Sequence, residues 1–282
     1  MRSVAAAAVA IVLLSSNAAS QQLVGQAEAV FTVTEHVAAG GSVRIFSRTG
    51  DISITEGAGD AVEYRAEKDV RRGRVEDIAF RVVRGTAGVT ICAVYSEDDD
   101  CDTDGIHGDG NWSHSWRRRA SVSITVKVPR GVLLRASSGN GDVAVAVAAS
   151  EARVSSGNGR VRVSGVTGRV DASSGNGDVT VQNSGGPVSA HTGNGDIRAS
   201  MDRVGAEDLD FSSGNGHIEV TMPADFSADV DASTGNGHVS VDFPITLSGR
   251  FSKTRVRGTI GNGGRRLRIS SGNGSIEIRK KA

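Results

Sequence analysis

Through the second half of the chain apolar and polar positions alternate with period two, and the alternation breaks at one tripeptide, Gly-Asn-Gly. Its Asn falls at 140, 158, 176, 194, 215, 236, 262 and 273, so the first five intervals are 18, 18, 18, 21 and 21 residues. Six and four residues before the Asn stand Leu134/Ala136, Ala152/Val154, Val170/Ala172, Val188/Ala190, Leu209/Phe211, Val230/Ala232 and Leu267/Ile269. Three and five after it stand Val143/Val145, Val161/Val163, Val179/Val181, Ile197/Ala199, Ile218/Val220, Val239/Val241 and Ile276/Ile278. Each repeat reads as two half-buried strands joined at Gly-Asn-Gly. The Asn262 copy lacks the frame, with Gly258 and Arg265 where apolar residues belong. The 37-residue step from Asn236 to Asn273 is close to two periods and predicts one degenerate repeat between them. The frame recurs once earlier, at Val43, Ile45, Gly50, Ile52 and Ile54, with Thr49 in place of Asn. Between that copy and the array lies an insertion whose strands are expected at 62–66, 78–83, 89–94 and 122–128.

A two-strand unit this short cannot bury a face alone, so successive units must stack. The predicted fold is all-β: a parallel β-solenoid of two-strand coils, with an N-terminal β-rich insertion. Seven coils at about 4.8 Å each give a rod about 34 Å long. An antiparallel β-meander of Asn-Gly hairpins is the competing architecture, because that turn also puts the apolar positions on one face. The organisation read from the sequence is a signal peptide at 1–20, a β-rich part at 21–130, and the repeat array at 131–282.

Residues 1–20 combine Arg2, an unbroken apolar run Val4–Leu14 and a small polar stretch, the pattern of an export signal cleaved before Gln21. Eleven residues are too few to span a bilayer, and no longer apolar run follows, so no transmembrane segment is expected. The location implied is secreted or periplasmic, compatible with cell-surface association. Two cysteines, Cys92 and Cys101, are expected to form a disulfide in an exported chain. Lys plus Arg equals Asp plus Glu at 32 each, which removes the basic excess of a nucleic-acid binder. Gly accounts for 37 of 282 residues and aromatic residues for 4%, which suits many short strands around a narrow core.

The Ser-Ser-Gly-Asn-Gly-Asp-Val copies, the Val-Pro-Arg-Gly-Val run at 128–132 and the closing Ser-Gly-Asn-Gly-Ser-Ile-Glu-Ile resemble the putative-adhesin family of secreted bacterial β-repeat proteins, over residues 40–282. That family is a domain of unknown function. The resemblance implies an extracytoplasmic binding or structural role and supplies no catalytic residues.

The Asn column at 140, 158, 176, 194, 215, 236 and 273 reads as a structural turn column whose side chains can bond from coil to coil. Two residues later runs Asp142, Arg160, Asp178, Asp196, His217, His238 and Ser275, of which Asp178, Asp196, His217 and His238 form a candidate divalent-metal set. The densest chemistry is the loop 96–119. There Asp100, Asp102, Asp104 and Gly105 match the opening of a calcium loop, with Ile106 and Asn111 at its seventh and twelfth positions. Asn111 stands where a bidentate Glu belongs, so the competing reading is a solvated acidic loop and no cofactor. Trp112, Trp116, Arg117, Arg118 and Arg119 follow as a candidate contact surface for a partner. No nucleophile elbow, phosphate loop or dinucleotide motif occurs. The function read from the sequence is a noncatalytic adhesin-like module contacting an envelope or cell-surface component, not nucleic acid. A polysaccharide-acting β-helix enzyme and a calcium-binding envelope protein are the alternatives.

Overall fold

The computed structural model describes residues 21–96, 99–108, 119–183, 185–248 and 252–281. Residues 1–20, where an export signal is expected, lie outside them, as do Asn111, Trp112, Trp116, Arg117 and Arg118. The described chain forms a 13-stranded and an 11-stranded sheet, with a separate two-stranded hairpin. Each Gly-Asn-Gly repeat gives one strand to each sheet, and equivalent residues of successive repeats pair in parallel: Asn140 with Asn158, Val143 with Val161, Val161 with Val179. The fold is therefore the stacked solenoid and not the antiparallel meander. Most inward positions are Val, Ile and Ala, which suits a narrow space between two facing sheets, with Leu209 and Phe211 among the larger exceptions. Val143, Val161, Val179, Ile197, Ile218 and Ile276 are fully buried in a single column.

The insertion joins the same stack. Its strand Gly88–Val94 pairs in parallel with Ser42–Thr49, and Arg119–Val128 pairs in parallel with Ile52–Glu56, so these two strands make one further rung. Both sheets run without a break across position 130. Nine rungs at about 4.8 Å give a stack about 40 Å long. Antiparallel strands close the first end: Ala79–Gly85 and Gln21–Val24 on one sheet, Ala61–Arg72 and Val30–His36 on the other. Phe31, Tyr64 and Phe80 fill the gap between them as an aromatic triad with centroids 4.6–6.1 Å apart. Lys68 continues the inward register of its strand to the rim. There its ammonium shares its three N–H groups among the carbonyls of Gly25, Gln26, Val75 and Ile78, 2.5–3.1 Å away. Burial pulls its pKa below the ordinary lysine value, against the opposing effect of Glu28 and Glu76.

The far end departs from chain order. The Asn273 rung lies between the Asn215 and Asn236 rungs, and Asn236 belongs to the last parallel rung of the stack. Among the described residues no degenerate repeat fills the 37-residue step. Ile245–Leu247 and Arg255–Ile260 instead form an antiparallel pair beyond the Asn236 rung. Rung quality explains the order. The Asn273 repeat has strands of 8 and 5 residues and all four inward positions apolar and buried, so it serves as an interior layer. The second strand of the Asn236 repeat has only three residues, Val239–Val241, half-buried as suits an end. Phe226 and Phe243, with centroids 6.0 Å apart, seal that end.

Candidate functional site

Gly-Asn-Gly makes the corner of every repeat, and its side chains form continuous rows. Each Asn Nδ2 donates to the Oδ1 of its neighbour: Asn158 to Asn140, Asn176 to Asn158, Asn194 to Asn176, Asn215 to Asn194, Asn273 to Asn215 and Asn236 to Asn273, all at 2.7–2.8 Å. Two residues before each Asn runs a second row that the sequence reading missed. Ser138, Ser156, Ser174, Thr192, Ser213, Ser271 and Thr234 are buried and donate to glycine carbonyls of the adjoining rung. A hydroxyl at this offset in all seven repeats was the available signal.

In the row two residues after Asn, carboxylates accept backbone N–H groups of the next rung: Asp142 from Arg160, Asp178 from Asp196, Asp196 from His217. His217 Nδ1 does the same for the Ser275 N–H at 3.0 Å, and Ser275 Oγ lies 2.8 Å from His238 Nδ1. Ser275 thus separates His238 from His217, because the Asn273 rung intervenes, and the four-residue metal set is not assembled. Among the described residues no three His, Cys, Asp or Glu side chains gather as metal ligands.

The first rung has no compact corner of this kind, neither Gly-Asn-Gly nor the Thr49-Gly50 turn of the second rung: its two strands, Gly88–Val94 and Arg119–Val128, are separated by residues 95–118 of the sequence. Cys92 points to the outer face of the larger sheet and is bonded to Cys101. Cys101 and Ile106 sit in a short hairpin, Asp100–Cys101 with Ile106–His107, which covers Phe46, Ala79, Cys92 and Val94 in a second small apolar cluster. Polar bonds hold the hairpin's surroundings. Arg48 Nη2 donates to Asp99 Oδ1 at 2.8 Å, the Tyr95 N–H reaches Asp99 Oδ2 at 3.0 Å, and Tyr95 OH donates to the Thr49 carbonyl at 2.8 Å. Burial raises the Tyr95 pKa to about 12.

Of the acidic loop residues, Asp102 Oδ1 accepts from the N–H groups of Asp104 and Gly105 and lies 2.9 Å from His107 Nε2. The Asp104 N–H bond is the main reason its carboxyl titrates below the usual range. Asp104 pairs with Arg135, whose guanidinium also donates to the Thr103 carbonyl and lies 5.5 Å from the Phe46 ring centre. Arg135 opens a shallow depression of about 360 Å³ beside the loop, continued by Arg153, Asp171, Ser173, Ser189 and His191. His191 bridges two hydroxyls, Ser189 Oγ at 2.7 Å from Nε2 and Ser212 Oγ at 2.6 Å from Nδ1. A neutral imidazole satisfies both. The strands beneath pair in parallel, Ser173 with His191 and His191 with Ser212.

The Toastrack DUF4097 family model matches residues 108–279. A "putative cell adhesion protein" from Clostridium sporogenes is similar in structure at 12% identity, covering 89% of this chain and 100% of its own, with a TM-score of 0.36. A "putative adhesin" from Bacteroides fragilis shows 11% identity over 90% of this chain and 98% of its own, with a TM-score of 0.36. A "putative lipid binding protein" from Parabacteroides distasonis shows 9% identity over 89% and 97%, with a TM-score of 0.37. No curated protein matches the chain.

Proposed function

The chain belongs to the Toastrack DUF4097 family, and from that premise we propose that it is a noncatalytic extracytoplasmic module of the bacterial envelope. Its contact surface is the disulfide-tied loop together with the adjoining depression on the larger sheet. One observation carries the reading: the first rung replaces a compact corner with a long chain segment, tied down by Cys92–Cys101, the Arg48–Asp99 pair and the Phe46 cluster. Repeats elsewhere are accounted for by folding alone. A long polar segment anchored at its base is the usual form of a functional loop. Export is supported by the pattern of residues 1–20 and by the disulfide.

Retention on isolated envelope fragments tests the reading. Trp116→Ala with Arg118→Ala is expected to reduce retention at least about tenfold, as loss of hot-spot residues does, with an unchanged circular dichroism spectrum. Equal retention of the double variant moves the contact away from the loop.

A further inference from the structure

Among the described residues the two sheets expose four edges, and three are blunt. Gln21–Val24 has four residues, Ile245–Leu247 three, and Val239–Val241 three, the last with its Val239 N–H already bonded to the Lys253 carbonyl. The fourth, Val30–His36, is seven residues long. Edges are normally protected by shortness, Lys, Pro or a bulge. Val-Phe-Thr-Val-Thr-Glu-His holds neither Lys nor Pro, its register with Ala61–Glu67 is unbroken, and its inward-facing charge, Glu35, is already paired with Arg84 of the other sheet.

The direction of its free backbone groups follows from the bonds at either end. Lys68 N–H donates to the Ala29 carbonyl and Val37 N–H to the Asp60 carbonyl, both at 2.9 Å. Antiparallel pairs alternate between bonded and non-bonded, so the odd residues Phe31, Val33 and Glu35 face the neighbouring strand. Val30, Thr32, Thr34 and His36 therefore turn their N–H and C=O groups outward.

We propose that this edge pairs with the same edge of a second copy, antiparallel and two-fold symmetric about Val33. The register sets Val30 against the partner's His36 and Thr32 against the partner's Thr34, so every outward residue enters a bonded pair. Four such pairs at two hydrogen bonds each give eight bonds and fuse two 11-stranded sheets into one. The side chains accept it. Glu35, held by Arg84, falls opposite Phe31, and His36 falls opposite Val30, so no like charges meet, while Thr32 and Thr34 form a favourable cross-strand pair. An extended peptide of another protein could use the same groups, but only a second copy brings this matched register by symmetry. The pairing joins the ends that carry the disulfide-tied loops, which would make the assembly bivalent.

Sedimentation velocity of the full chain over a dilution series tests the proposal. Wild type is expected to dimerise reversibly in the micromolar range. Thr34→Pro removes an outward N–H that the monomer does not use and should weaken the dimer at least about tenfold with its circular dichroism spectrum intact. A wild type that stays monomeric throughout, or a folded Thr34→Pro chain that dimerises equally well, overturns the proposal. Should Thr34→Pro fail to fold, hydrogen exchange of wild type decides. Amides of Thr32 and Thr34 must slow as concentration rises, and concentration-independent exchange sinks the idea.

Discussion

Tyr64 is 2% exposed, and its hydroxyl has no hydrogen-bond partner among the described residues. Burial holds its pKa well above the ordinary tyrosine value. An unsatisfied buried hydroxyl costs roughly 1–3 kcal/mol, while the ring itself contributes packing against Phe31 and Phe80. Tyr64→Phe should therefore stabilise the protein by about 1 kcal/mol, read as a higher urea midpoint; an unchanged or lower midpoint would show that the hydroxyl is satisfied. Tyr95 gives a prediction in pH. Its folded pKa, about 12, lies above the ordinary tyrosine value of 10.0, so its contribution to stability is complete below pH 10 and is lost as pH rises through about 12. Only two tyrosines exist in the chain. Phenolate absorbance of the folded protein should stay flat through pH 10 and rise only with alkaline unfolding, whereas the urea-unfolded chain should titrate near 10. Ionisation of either tyrosine near pH 10 in a protein that remains folded would contradict this.

For the element, the corner glycines set how closely rungs approach. Gly177 has φ +150°, and a Cβ there would lie 2.2 Å from the Gly159 carbonyl oxygen of the next rung. That oxygen is backbone and cannot rotate aside. Gly40 also has positive φ, +78°, but a Cβ there meets nothing within 4 Å. Gly40→Ala should cost about 1–2 kcal/mol for its backbone conformation alone. Gly177→Ala adds the clash and should cost distinctly more, above about 3 kcal/mol, as measured by denaturant unfolding of the two variants side by side. Equal costs would mean that rung spacing is not set at the corner.

At the scale of the whole molecule, stability is a sum over rungs and the interfaces between them, so a residue matters by its place in the stack and not by its place in the chain. Ile276 is four residues from the end of its strand at Lys280, yet it is buried between Ile218 and Val239. Ile276→Asp should destabilise as severely as Val179→Asp, since each leaves an unpaired charge inside an interior rung. Val239→Asp, in the half-buried last rung, should be tolerated better. Hydrogen exchange should show Ile276→Asp opening the rungs on both sides of it. Local fraying at the C-terminus only would mean that the rung is peripheral after all.

Much of this was written in the sequence by itself. Val at three and five residues after each Asn places one face inside, and period two can only be a strand, so inward column, corner and two-strand repeat follow from local alternation. The cysteine pair was legible because its spacing and the export pattern are both local. Three things were decided only by tertiary structure. The order of the last rungs depends on which repeat makes the better interior layer, a comparison between segments 37 residues apart in sequence. Gly88–Val94 and Arg119–Val128 join the stack through pairing with Ser42–Thr49 and Ile52–Glu56, and no repeat motif marks them for it. The depression beside the loop collects Arg135, Arg153, Asp171 and His191 from four consecutive rungs. Local sequence sets which face a side chain takes, because the alternation of a strand is a property of adjacent residues. Which strands become neighbours is set by burial and hydrogen bonding summed over the whole stack.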